Sequence, residues 1–324
     1  MARKANNQIL QKAKKSKSDE FYTQLCDIES ELQHYKEHFK DKVVYCNCDD
    51  PRVSNFFRYF VINFQELGLK KLIASCYKEN EQDLFNNAFE PGYFFEFEGG
   101  DIHYENIEVK KFKGDGDFRS PESIELLKQC DIVVTNPPFS LFREFVAQLV
   151  QYDKKFLIIG NVNAITYKDI FELIQADKVW LGVNLGRGIS GFIVPEHYAL
   201  YGTEVTIDAN GNRIVATNSC LWLTNLEMSF RHEDINLTKT YSGNEDKYPT
   251  YDNCDGINVN KTQDIPMDYV GLMGVPITFL HKYNPSQFEI IRFRKGDDGK
   301  DLRVNGKCPY FRILVKNKQF CCNS

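Results

Sequence analysis

The chain has 324 residues, 42% of them hydrophobic and 26% charged, which suits one large core with an appended lobe and excludes a fibrous or disordered protein. A net charge of −5 announces no nucleic-acid partner, although a local basic groove is all that phosphate contacts require. No segment has the length and apolarity of a membrane span and the Lys-rich start lacks an apolar signal core, so a soluble cytoplasmic protein with no membrane partner is expected.

Residues 1–17 carry Arg3, Lys4, Lys12, Lys14, Lys15 and Lys17 with no acid among them, a flexible basic arm either solvated or following a phosphate backbone. Asp27 to Phe39 reads as a polar helix, and Val43-Val44-Tyr45-Cys46 as a buried strand. Ser54 is an N-cap before Phe56, Phe57, Phe60, Val61 and Phe64 at helical spacing, with Gly68 closing the helix. Leu72-Ile73-Ala74-Ser75 is the next strand, and this βαβ order implies a parallel sheet. Residues 92–112 alternate around Gly99-Gly100 as a β-excursion, and Ser120-Pro121-Glu122 starts another helix. Ile132–Thr135 and Phe156–Gly160 are strands flanking a helix through Leu141, Phe142, Phe145, Val146 and Leu149. A helix at Tyr167–Gln175 and a strand at Val179–Val183 complete an α/β domain over 18–185.

From residue 186 to 324 short β-type runs replace helices: Gly191–Val194, Val205–Asp208, Cys220–Thr224, Phe288–Phe293 and Tyr310–Val315. Asp208–Asn212 and Asp297–Lys300 read as hairpin turns, and some of these strands are expected to complete the first sheet. The ten cysteines lack paired CxxC spacing, which makes them buried reduced thiols. His34 and His38 flank Lys36 and Glu37 on an exposed helix face, so no metal is expected.

The informative stretch is Asp131-Ile-Val-Val-Thr-Asn136-Pro137-Pro138-Phe139, a buried strand running into a stiff turn and then a helix. Ligand sites of open α/β sheets lie past the carboxyl ends of strands. Two prolines leave main-chain carbonyls without competing N–H groups, Asn136 adds a side-chain acceptor and Phe139 a flat face. An exocyclic purine amine needs that combination. Accepting both its hydrogens, on the Asn136 oxygen and the Pro137 carbonyl, localises the nitrogen lone pair for in-line attack on a sulfonium methyl. Phe139 would stack on a base that has left the duplex.

Asp19-Glu-Phe-Tyr-Thr23, Tyr45-Cys-Asn-Cys-Asp-Asp50-Pro51, Ser54-Asn-Phe-Phe57, Asn136–Phe139 and Arg312–Lys316 together resemble the EcoRI-type adenine-specific DNA methyltransferases over nearly the whole chain. The resemblance implies a Rossmann-like sheet binding S-adenosylmethionine, with Phe21, Tyr22 and Thr23 against its methionine part. Cys46, Asn47, Asp49, Asp50 and Pro51 would replace the usual Asp-x-Phe-x-Gly-x-Gly loop, Asp49 or Asp50 meeting the cofactor's amino group. Where an acid normally receives the ribose, the chain reads Ser75-Cys76-Tyr77-Lys78, leaving Ser75 or Tyr77 as substitutes. Asp117 and Phe118 lie where such enzymes hold the adenine ring; a surface turn is the alternative.

The β-rich remainder is where related enzymes read their target. It carries Arg187, Arg213, Arg231, Lys239, Lys261, Lys282, Arg292, Arg294 and Lys295, and the loop Asn184–Ser190 with its Gly-Arg-Gly suits a groove. The expected partner is double-stranded DNA and the expected state a monomer. RNA bases, protein glutamine, and a silent nucleic-acid-binding homologue are the competing readings, since Asn-Pro-Pro-aromatic chemistry alone separates none of them.

Overall fold

A computed structural model describes residues 22–78, 89–102, 107–185, 189–194, 205–216, 219–294, 302–309 and 311–320. The basic segment 1–17, Phe21, Arg187, Lys295, the 297–300 turn and the Cys321-Cys322 pair lie outside them. Two compact units share the chain: residues 1–164 with 181–226, and residues 165–180 with 227–324.

In the first unit the strands are β1 (Tyr22–Thr23), β2 (Val43–Asn47), β3 (Lys71–Cys76), β4 (Tyr93–Phe97), β5 (Lys110–Lys111), β6 (Ile132–Thr135), β7 (Lys155–Asn161), β8 (Trp180–Leu185), β9 (Phe192–Val194), β10 (Val205–Ile207), β11 (Arg213–Val215) and β12 (Cys220–Thr224). Its helices are α1 (Leu25–Leu32), α2 (Asn55–Ile62), α3 (Pro121–Gln129) and α4 (Phe142–Gln151). Eight strands form one mixed sheet in the order β5-β4-β3-β2-β6-β7-β12-β8. β3, β2, β6 and β7 run parallel, while β4 and β12 lie antiparallel beside β3 and β7. Every residue of β2 is buried, as expected for a central parallel strand. A second, antiparallel sheet has the order β1-β9-β11-β10.

The helix caps follow the local sequence. Ser54 Oγ accepts from Phe57 N at 3.4 Å and Ser120 Oγ from Ser123 N at 3.2 Å. Two helices are shorter than their sequence patterns. α1 stops at Leu32, and Gln33–His38 tightens into a 3₁₀ turn in which Tyr35 donates to Glu31 at 2.9 Å. α2 stops at Ile62 instead of near Gly68: Phe64 N bonds to Val61 O, three residues back, and the Asn63 side chain donates to Tyr59 O. The intervening turns end at Gly68, whose φ of +61° suits glycine.

In the second unit, α5 (Lys168–Gln175) accompanies a sheet of β13 (Thr250–Tyr251), β14 (Cys254–Asn258), β15 (Leu272–Pro276), β16 (Phe288–Arg294) and β17 (Arg312–Asn317), ordered β13-β14-β15-β17-β16. Only β14 and β15 pair in parallel. α5 buries Ile170, Phe171 and Ile174, and its Gln175 amide donates to Ile290 O and Ile291 O of β16. That docking places residues 165–180 in the second unit, so the chain interleaves the two where a single break near 185 was expected. Beyond Gln175 the described residues contain only 3₁₀ turns and strands.

Candidate active site

Asn47, Ser75 and Thr135 stand in a row across the carboxyl ends of β2, β3 and β6. Asn47 is the register partner of Ser75, and the Thr135 hydroxyl donates to Asn47 O. From Thr135 the chain turns through Asn136 and Pro137, both buried, to the half-buried Pro138 and Phe139. A short 3₁₀ turn at Phe139–Leu141 leads into α4. Gly160 of β7 fixes that helix close to the sheet, since a Cβ there would sit 2.6 Å from the Phe142 ring. The Phe139 ring meets Phe192 of β9 edge-on, with centroids 6.2 Å apart.

β2 ends in a tight turn made without glycine: Cys48 itself adopts a left-handed φ of +80°. Asp49 is buried and accepts from Ser54 Oγ at 3.2 Å. Asp50 is gripped by the Arg52 fork at 3.1 and 3.0 Å and by the Tyr93 hydroxyl. Partial burial would raise the Asp50 pKa, but these donors outweigh it and hold the carboxyl below its ordinary range. Burial pushes the Cys46 and Cys48 thiols well up, with Asp49 adding to it, so both stay protonated. Asn55 Nδ2 donates to Thr23 O at 2.8 Å, tying β1 to the start of α2.

The segment 114–118 lies against the end of β3. Lys78 N donates to Asp115 O at 2.8 Å, and a Cβ on Gly116 would come within 2.8 Å of Cys76 O. Asp117 takes a fork from Arg119 at 2.9 and 2.7 Å, which holds its carboxyl below the usual range. Arg119 also reaches Glu144 at 3.0 Å.

The sheet thus brings Cys46–Pro51, Asn136–Phe139 and Asp117 to the ends of neighbouring strands. The other sequence-derived residues have settled surroundings. Phe118 is buried with its ring 5.1 Å from Phe145, the Ser75 hydroxyl bonds the Tyr45 hydroxyl at 2.7 Å, and Tyr77 is 42% exposed. Arg52, Tyr93, Arg119 and Phe192 escaped the sequence reading. Arg52 and Arg119 each sit two residues beyond the acid they hold, a legible spacing; nothing local marks Tyr93 or Phe192.

Of the basic residues in the late region, Arg231 is 6% exposed, pairs with Asp177 and Glu227, and stacks 3.7 Å above Trp180. Cys46, Cys76, Cys130 and Cys220 are buried as expected, whereas Cys26 and Cys308 are exposed. Among the described residues no group of three His, Cys, Asp or Glu could hold a metal ion, and no helix is long and apolar enough to cross a membrane.

The profile described as "Adenine-specific methyltransferase EcoRI" matches residues 9–318. The Type II methyltransferase M.EcoRI of Escherichia coli is 68% identical over 98% of this chain and 99% of its own. M.MgeORF184P of Mycoplasma genitalium and M.MpnI of Mycoplasma pneumoniae, also Type II methyltransferases, are 40% and 37% identical over 95% of this chain and 98% of theirs. No solved structure matches significantly. A strand-end Asn-Pro-Pro-Phe turn, a glycine-free loop beside it and these full-length matches lead to one conclusion: the chain belongs to the EcoRI family of adenine-specific DNA methyltransferases.

Proposed function

We propose that the protein methylates N6 of an adenine flipped out of duplex DNA, at a specific site, with S-adenosylmethionine as donor. The observation that carries this is the lock between Thr135 and Asn47, which sets the Asn136–Phe139 turn beside the Cys48–Pro51 turn at adjoining strand ends. The eight-stranded sheet is read as Rossmann-like, its ligands lying at those ends.

The residues on the cofactor side fit an amphiphilic nucleoside. Thr23 Oγ1 and Asn47 Oδ1 are buried with no hydrogen-bond partner among the described residues, and both belong to the segments assigned to cofactor binding. Tyr22 and Thr23 would border the methionine part, Asp49 or Asp50 its ammonium, and Asp117 the adenine amine; Ser75 or Tyr77 would serve the ribose. When bound, S-adenosylmethionine supplies an electrophilic methyl on a sulfonium.

The protein's own share is positioning. Asn136 Oδ1 and the Pro137 carbonyl accept the two amine hydrogens, which pulls the nitrogen toward a tetrahedral, nucleophilic state. Phe139, steadied by Phe192, stacks on the base and keeps it out of the helix. The β-rich region after residue 185 reads the target, with Arg231 and Arg312 committed to its own packing. One chain carries both turns, so a monomer in the cytoplasm suffices. Tritiated methyl transfer to unmethylated genomic DNA, with RNA and protein extract in parallel, tests the reading. Label recovered as N6-methyladenine supports it; label confined to RNA or protein replaces the substrate.

A further inference from the structure

α1 carries two buried carboxylates, Asp27 and Glu31, which lie on one side of the helix because they are four residues apart. Both accept from main-chain N–H groups of the connection between β8 and β9. Glu31 takes Val183 N and Asn184 N, each at 2.8 Å, and Gly182 gives it room, since a Cβ there would meet the carboxylate. Asp27 takes Ser190 N at 2.9 Å and the Ser190 hydroxyl at 3.0 Å. Gln24, just ahead of the helix, donates to the same hydroxyl at 2.6 Å and to Gly191 O at 3.1 Å. Ser190 is gripped through its main chain and its side chain alike. Residues 186–188, between the two attachments, lie outside the described residues.

A buried carboxylate is a costly anchor: burial raises the Asp27 pKa, and the Ser190 donors offset only part of that. What such a network gives is one fixed arrangement. Here it is fixed two residues before Phe192, whose ring meets Phe139. The intervening Gly191 passes close to β11, where a Cβ would come within 2.7 Å of Val215 O. Phe192 itself stands in register with Thr23 of β1 and Val215 of β11. Thr23 has a separate tether, from Asn55 Nδ2 to its carbonyl, so the segment assigned to the cofactor does not depend on Ser190.

We propose that Asp27 is a positioning residue for methyl transfer: through Ser190 it sets where β9 presents Phe192, and so how Phe139 meets the extruded adenine. The assignment rests on the DNA-methyltransferase reading of the Asn136–Phe139 turn. Glu31 makes the same kind of bond one helical turn away, but to β8 at the edge of the large sheet, and serves as the internal control.

The test is single-turnover methyl transfer to a duplex carrying the site mapped from methylated genomic DNA. A second duplex, with 2-aminopurine in place of the target adenine, reads base extrusion by fluorescence. Asp27→Ala should slow transfer by about 10–100-fold, the scale of a misplaced reacting group, and lower the 2-aminopurine signal. Ser190→Ala, a small change at an exposed residue, should move both readouts the same way by less, and keeps the test standing where Asp27→Ala does not fold. Asp27→Asn keeps an acceptor oxygen for Ser190 and should stay near wild type. Glu31→Gln should lower stability in urea while leaving both readouts in place. S-adenosylhomocysteine affinity by calorimetry should hold in all four. In the wild type, the Ser190 amide should exchange slowly with solvent deuterium before DNA is added, which needs no variant to fold. Unchanged transfer in Asp27→Ala or in Ser190→Ala, an equal loss in Glu31→Gln, lost S-adenosylhomocysteine binding, or fast exchange at Ser190 overturns the assignment. Wild type that methylates DNA while giving any of these results loses only the positioning role; wild type that transfers no methyl to DNA loses the underlying reading.

Discussion

In the five-stranded sheet, Tyr251 and Arg312 both donate to Asn258 Oδ1, at 3.0 and 2.9 Å, and Gly274 leaves room for the Tyr251 ring. In the first unit, Asn47 Oδ1 and Thr23 Oγ1 are just as buried yet have no hydrogen-bond partner among the described residues. The first arrangement is a polar core that closes on itself and specifies one packing. The second leaves hydrogen-bonding capacity unspent where the cofactor is assigned, and buried polar groups are seldom left so without a reason. Arg312 illustrates the difference: it belongs to a segment that resembles the family, yet its side chain is structural.

Four measurements would break or sharpen that contrast. Asn136→Ala should cut turnover by about 10²–10³-fold, the scale of losing one transition-state hydrogen-bonding group. Its S-adenosylhomocysteine affinity by calorimetry should hold if Asn136 acts on the target amine as proposed; equal loss of both would mean misfolding. Asn258→Leu should act on stability, removing the shared acceptor of Arg312 Nε and the Tyr251 hydroxyl at a cost of about 1–3 kcal/mol in urea unfolding. A neutral result would show that water reaches the network.

Phe139→Ala should weaken retention of the flipped base by about 1–3 kcal/mol. Fluorescence of 2-aminopurine at the target position reads this, and undiminished signal would assign the base to another wall. The smallest effect concerns the Asp117–Arg119 pair, worth at most about 1 kcal/mol given the exposure of Arg119. The lowered Asp117 pKa means the pair contributes above about pH 4 and is lost as the pH falls through the folded-state value. Asp117→Asn should therefore differ from wild type in neutral solution and converge with it in acid, as read by urea unfolding across pH.

Much of the candidate site's local structure was legible because its signals are short. A strand followed by Asn136-Pro137-Pro138-Phe139 and a helix can be read within a dozen residues, and both serine caps act over three. Helix ends were less legible. Apolar spacing that persists through Phe64 carries α2 on to Gly68, while the switch to an i−3 bond at Phe64 and the mixed turns after it leave no mark in that spacing.

The sequence by itself determined the α/β alternation, the parallel character of the central strands and the residue types of the Asn136–Phe139 turn, since periodicity, capping and turn stiffness are local properties. Tertiary structure alone decided that Tyr93 would hold Asp50, that Phe192 would back Phe139, that α5 would join the second unit, and that Asp27 would hold Ser190. Each of those depends on which strands become neighbours and in what register. That is a competition among pairings tens of residues apart, settled by burial of whole faces and not by any short stretch of chain.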